Sequence, residues 1–258
     1  MKRSKVKQIK NDFYNFIISQ NNKMELVDKN KLYDCAPYIK ATGFTQLMLC
    51  VLNNDLDNAK HYLLEINVQN SEGWTALHIT CRNSKTFSSI EMVEFLLRND
   101  ADPNASTNDG YTPLHYASNY SNDTSSLATV EALLRNGANP NAKNNDGWTP
   151  LHWAVKYSNR ASTISLATVE VLLKNGADPN ARTSSDWTPL SIALYFSNKT
   201  EYSIFICSLA TVKLLLQYNA TPVNTATQII KLEINIENLV EENEKLKRRI
   251  ETLESEED

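Results

Sequence analysis

The chain has 258 residues, 41% of them hydrophobic and 22% charged, with a formal net charge of −4. These proportions belong to a soluble, folded protein, and the slight negative balance excludes a global attraction to nucleic acid or anionic lipid. Its four cysteines, Cys35, Cys50, Cys81 and Cys207, show no C-x-x-C spacing, and His78 near Cys81 has no second ligand pair, so no zinc framework is written in the chain and reduced thiols in a reducing compartment are expected.

Residues 1–41 begin with a basic run (Lys2, Arg3, Lys5, Lys7, Lys10) that leads into the short, mixed stretch Phe13–Ile18. That is not the apolar core of an export signal, and no apolar run approaches the roughly 20 residues needed to cross a bilayer. An intracellular, most simply cytoplasmic, location away from membranes is expected. Val6–Ile18 can form a helix with Ile9, Phe13, Phe16 and Ile17 on one face, suited to capping whatever follows. The basic run raises an alternative, a nucleic-acid-associated regulator, although a short charged terminus is more often only solvated.

From residue 42 the chain repeats itself. Gly73-Trp74-Thr75-Ala76-Leu77-His78 recurs as Gly110-Tyr111-Thr112-Pro113-Leu114-His115 and as Gly147-Trp148-Thr149-Pro150-Leu151-His152, with an eroded copy, Asp186-Trp187-Thr188-Pro189-Leu190-Ser191. Each is followed by a second block: Val93–Leu97, Val130–Leu134, Val169–Leu173 and Val212–Leu216. Thr can cap a first helix, and Pro fits at its first position, where the missing N–H is not needed. The V-x-x-L-L spacing supplies a second helix with one buried face. Gly137 and Gly176 stand where that helix must stop in a left-handed conformation; Asn219 can adopt it too, and Asp100 less comfortably. The Asn-Asp-Gly segments ending at Gly110 and Gly147 suit tight turns. An atypical first copy runs from Phe44-Thr45-Gln46-Leu47 to Tyr62-Leu63-Leu64.

The T-P-L-H and G-A-D-P-N signatures resemble ankyrin repeats, over about residues 42–224. The resemblance implies an all-α solenoid of about five helix-turn-helix repeats with short β-turn fingers, at approximately 42–70, 71–106, 107–143, 144–182 and 183–224. The residue before each Thr is spaced 37, 37 and 39 residues from the next, longer than the usual period of about 33. From the last Leu of one copy to the next Thr the distance is constant, so the extra length lies between the two helices, at 84–88, 121–126, 158–164 and 197–207. The Tyr-Ser-Asn motif followed by an insertion is similar to the ankyrin proteins of giant DNA viruses that infect amoebae.

The resemblance implies that His78, His115 and His152 are structural, their rings bonding neighbouring backbone. Equivalent residues of successive repeats stand in a row and do not converge on one metal or substrate. No phosphate loop, nucleophile elbow or metal motif appears, so no catalytic residue, cofactor or metal is expected and the chain reads as a non-enzyme. The resemblance implies protein binding through the turn fingers and the concave face of the first helices. By position, this surface comprises Trp74, Tyr111, Trp148 and Trp187 before each Thr, the finger tips Glu72, Asp109 and Asp146, and the ends of the first helices at Arg82, Asn119, Tyr120, Lys156, Tyr157, Tyr195 and Phe196. Two readings of the Trp/Tyr row stay open: recognition, since such residues are enriched at binding hot spots, or mutual stacking that stiffens the array. The Tyr-Ser-Asn row reads more readily as packing against the insertions.

Residues 225–258 hold a second pattern. Ile229, Ile236, Asn243 and Ile250 are seven apart, and Leu232, Leu239, Leu246 and Leu253 follow the same period offset by three. Ile at a and Leu at d favour a parallel two-stranded coil, and one Asn at a fixes register. Glu242 would face Lys247 and Arg249 would face Glu254 across a homodimer. A single helix folded over the last repeat and a heteromeric coil are the alternatives. A basic zipper is excluded, because residues 205–228 contain only Lys213. The expected function is a dimeric adaptor or scaffold that binds a partner protein through the concave face or the insertion edge, a host protein if the origin is viral, with nucleic acid the less favoured partner.

Overall fold

The computed structural model describes residues 43–83, 89–120, 127–157, 163–197 and 205–222, together with the isolated helical positions 227–228, 245 and 248–249. The described residues contain ten α-helices and no strand, so the all-α solenoid holds: α1 (Gln46–Asn53), α2 (Leu56–Ala59), α3 (Ala76–Asn83), α4 (Ile90–Arg98), α5 (Pro113–Tyr120), α6 (Leu127–Arg135), α7 (Pro150–Tyr157), α8 (Thr163–Lys174), α9 (Pro189–Ser197) and α10 (Phe205–Gln217). They pair in sequence order. The first helices α1, α3, α5, α7 and α9 pack side by side as one layer, and α4, α6, α8 and α10 pack as a second.

The layers meet through the periodic apolar positions. Leu47, Leu77, Leu114 and Leu151 are wholly buried, with Leu190 close behind, and they form one column through the first helices. Val93, Val130, Val169 and Val212, with Leu96, Leu133, Leu172 and Leu215, do the same from the second helices. Each fully buried Leu or Val contributes about 1.5–3 kcal/mol. Ala117, Ala154 and Ala193 are buried as well, and their size lets the paired helices approach.

The fingers explain the glycines. Each finger closes on itself, as where Thr107 N–H donates to Tyr111 O at 2.9 Å and Asn144 N–H to Trp148 O at 3.0 Å. Each also bonds the next: Asn108 N–H to Glu72 O, Asn145 N–H to Asp109 O and Ser184 N–H to Asp146 O, at 2.9–3.1 Å. Gly110 has φ +79°, and a Cβ there would lie 2.8 Å from Asn145 Oδ1 and 2.9 Å from its backbone N. Both the left-handed backbone and the close neighbour require glycine. At the helix ends the demand is milder. Gly137 and Gly176 have positive φ but open space around the missing Cβ, and Asp100 and Asn219 take the same conformation at φ 64° and 65°.

A second ladder runs through the loops after the second helices. Asn67, Asn104, Asn141 and Asn180 each donate from Nδ2 to a carbonyl of the following repeat (Asp100, Gly137, Gly176, Asn219) at 2.8–3.1 Å. Each also accepts at Oδ1 from a backbone N–H two residues further on (Asp102, Asn139, Asp178, Thr221) at 2.7–2.8 Å.

The first copy departs from the sequence pattern. After four residues of α2 the chain tightens into a 3₁₀ segment, Lys60–Glu65, with Tyr62 at φ −118°, ψ 26°. Leu64 is fully exposed. Local polar bonds shape this end instead: Asp55 caps α2 through Asn58, and Glu65 Oε2 accepts from Leu47 N–H at 2.8 Å. The inter-helix insertions lie largely outside the described residues; of the described parts, Thr163–Ile164 open α8, Ser197 closes α9 and Phe205–Cys207 open α10.

Candidate protein-binding face

The starts of α3, α5 and α7 are each built by a Thr–His pair. Thr112 N–H donates to His115 Nδ1 at 3.0 Å, and Thr112 Oγ1 lies 2.9 Å from the same nitrogen. His115 Nε2 lies 3.0 Å from Trp148 O in the next repeat. A backbone N–H can only donate and a carbonyl can only accept, so Nδ1 is the bare nitrogen and Nε2 carries the proton. His78 repeats this with Thr75 and Tyr111 O, and His152 with Thr149 and Trp187 O. The motif is a capping box with imidazole in place of a carboxylate, extended to tie one repeat to the next. Burial pushes all three imidazoles down to about 4, against the opposing effect of the bonds to neighbouring carbonyls, so they are neutral at physiological pH. Burial raises the Cys50 thiol to about 11 and Cys81 further. Among the described residues no group of three His, Cys, Asp or Glu is placed to hold a metal ion.

The row before each Thr is graded. Trp74 is 5% exposed, Tyr111 and Trp148 are half-buried, and Trp187 is 36% exposed. These rings do not stack directly on each other. Tyr116 and Trp153, which follow the capping histidines, interleave between them. Trp74 lies 4.3 Å from Tyr116, Tyr116 lies 5.4 Å from Tyr111, Tyr111 lies 5.8 Å from Trp153, and Trp153 lies 4.8 Å from Trp148, centroid to centroid. Sequence reasoning missed both interleaving residues. The available signal was that this column, Ile79 and Ile192 at the ends, turns aromatic in the middle copies.

At α7 the row broadens. Trp153 and Tyr157 are parallel within 7° at 6.1 Å, and Lys156 Nζ sits 5.2 Å from the Trp148 centroid, 4.6 Å from Trp153 and 5.3 Å from Tyr157. In the last repeat Trp187 meets Tyr195 edge-on at 5.3 Å, and Tyr195 is 43% exposed. Arg82 lies in the last turn of α3 and is buried, 8% exposed, so it presents little surface. Tyr120 ends α5, but its side chain lies outside the described residues. The finger-tip residues Glu72, Asp109 and Asp146 are exposed. The heptad positions Ile229, Leu232, Ile236, Leu239, Asn243, Leu246, Ile250 and Leu253 lie outside the described residues, as does the basic start; Lys245, Arg248 and Arg249, between heptad positions, are helical and exposed.

A sequence model for ankyrin repeats (three copies) matches residues 47–143 and 120–227, and the chain belongs to the ankyrin-repeat family. Two ankyrin repeat proteins of Acanthamoeba polyphaga mimivirus are similar to it, one 36% identical over 86 residues and the other 37% over 89. The matched stretches are 28% and 29% of this chain and 15% and 14% of those relatives, so the chain spans only a small part of their length. Ankyrin repeats are protein–protein interaction modules. Among the described residues, no helix is long and apolar enough to cross a membrane.

Proposed function

We propose that the chain is a non-enzymatic adaptor that binds a partner protein on its first-helix face, with Trp148, Tyr157, Trp187 and Tyr195 as the central contacts. The observation that carries this is the exposure of the aromatic row toward its C-terminal end. Trp187 and Tyr195 leave large ring surfaces in solvent, where Trp and Tyr are the residues that anchor protein interfaces. Trp74, Tyr111, Tyr116 and Trp153 serve mainly as the stack behind that surface. This gives the two readings of the row a division of labour, stacking at one end and recognition at the other.

The similarity to mimivirus proteins supports a partner in the cell such a virus infects, and an intracellular site of action. The heptads at 229–253 support a parallel homodimer that would present two binding faces at once. If one partner engages both, avidity rises by about 10²–10⁴-fold without new contacts.

The test is cross-linking capture from the host cell with the wild-type chain and with Trp187→Ala and Tyr195→Ala. A protein recovered by the wild type and lost from both variants, with thermal unfolding unchanged, supports the reading. Identical recovery by all three chains refutes it.

A further inference from the structure

Two rows run side by side along the array. One is aromatic, and at α7 three of its rings, Trp148, Trp153 and Tyr157, surround an ammonium, the Nζ of Lys156, at 4.6–5.3 Å. A cation within about 6 Å of a ring centroid is held by the negative face of the ring. The rings therefore form a cation-holding cage that the chain fills with its own lysine.

The other row is acidic. Glu72, Asp109 and Asp146 sit at the tips of three successive fingers, are exposed, and have no ion-pair partner among the described residues. The finger-to-finger bonds from Asn108 to Glu72 O and from Asn145 to Asp109 O hold them one repeat apart along one edge. The turn itself asks only for a polar residue, since Ser185 occupies the same place in the last finger, so the negative charge is surplus to the fold. Each acid stands two residues before a ring of the aromatic row: Trp74, Tyr111 and Trp148.

We infer that the face takes an extended segment of the partner bearing lysine or arginine. One cationic side chain replaces Lys156 on the Trp148–Trp153–Tyr157 rings, and its neighbours lie against the Glu72–Asp109–Asp146 edge. This rests on the protein-binding reading and adds the chemistry of the partner. Charge complementarity selects the occupant: an acidic segment would meet three like charges, and an apolar one would leave them unused. Lys156 then acts as a competitor, because it fills the cage and repels an incoming cation.

The experiment is fluorescence anisotropy on the full chain with two labelled probes, a short lysine–glycine peptide and its glutamate–glycine counterpart. The lysine probe is expected to bind and the glutamate probe not. Glu72→Gln, Asp109→Asn and Asp146→Asn together are expected to weaken binding about tenfold, the sum of three modest exposed pairs, and to flatten its salt dependence. Lys156→Ala is expected to tighten binding several-fold. Failure of the lysine probe to bind, equal binding of both probes, indifference to the triple variant, or weaker binding by Lys156→Ala overturns the inference. A host protein cross-linked to the face through an acidic or uncharged segment would overturn it too, while leaving the binding face in place. Loss of the binding face itself shows separately, as host capture indifferent to Trp187→Ala.

Discussion

Acidification should unfold this array through its three buried histidines. Each imidazole is neutral in the folded chain, held down to about 4 chiefly by burial, whereas the ordinary value is 6.5. The unfolded chain thus binds more protons than the folded one between these limits. A depressed histidine contributes its full stability above the unfolded value and loses it as the pH falls toward the folded one. The slope approaches about 1.4 kcal/mol per pH unit for each ring, or about 4 kcal/mol for three. Between about pH 7 and pH 5 each ring surrenders about 2 kcal/mol, and the three together about 5–6 kcal/mol. That equals the entire stability of a marginal domain, about 5–15 kcal/mol. Proton uptake also breaks the cap, because a protonated Nδ1 can no longer accept from the Thr N–H. Urea unfolding followed by circular dichroism at a series of pH values reads the slope directly, and His115→Gln should remove about a third of it. A midpoint independent of pH over this range, or an unchanged slope in His115→Gln, would refute the argument.

Other consequences follow from the ladders. Gly110→Ala forces a left-handed alanine and drives its Cβ against the Asn145 backbone, and should cost about 3–4 kcal/mol. Gly137→Ala meets open space and should cost about 1–2 kcal/mol; thermal unfolding separates the two. Asn104→Ala removes one bond donated to Gly137 O and one accepted from Asn139 N–H, and should cost about 1–2 kcal/mol in denaturant unfolding. For the proposed zipper, light scattering should give twice the chain mass for the full protein and one chain mass for a chain ending at Asn224; equal association states would remove the heptads from the explanation.

The solenoid was legible because its signals are local and repeated. A Thr–Pro start, a V-x-x-L-L face and a Gly stop recur in phase, and each acts within one helix pair. Contacts between repeats were harder to read. The sequence shows Gly before Trp74, Tyr111 and Trp148, but only the fold shows that a backbone from the next finger lies under 3 Å from the missing Cβ. Tyr116 and Trp153 escaped notice because they interleave with rings one repeat away, a relation that spacing within a copy does not express. The first copy reads as atypical in the sequence, and only the fold shows that its Leu64 faces solvent where the chain turns 3₁₀. Arg82 sits in register with Lys156's neighbourhood at the end of a first helix, and only packing distinguishes the buried guanidinium from a surface one.

The last copy, Asp186–Ser191, shows what those contacts are for. It differs from its predecessors at the two positions that elsewhere reach the following finger. Where Gly73, Gly110 and Gly147 make room for the next finger, this copy has Asp186, at φ 63° and held by Arg182 at 2.6 Å. Where His78, His115 and His152 bond the next repeat's carbonyl, it has Ser191. Ser191 Oγ accepts from Thr188 N–H at 2.8 Å and so keeps the cap without reaching outward. Among the described residues this is the last finger of the stack, and here the substitutions have no following finger to disturb. Moved inward, the same pair should be damaging. Gly147→Asp places a Cβ 2.8 Å from Ser184 N, and His152→Ser gives up the inter-repeat bond to Trp187 O, so the double variant should lose about 4 kcal/mol or more from strain and the lost hydrogen bond. The reverse pair in the last copy, Asp186→Gly with Ser191→His, should change stability by less than about 1 kcal/mol, because relief of the left-handed strain is set against the lost Arg182 contact and, among the described residues, no finger carbonyl lies beyond the new ring. Equal effects of the two pairs in urea unfolding would show that these residues do not mark the end of the stack.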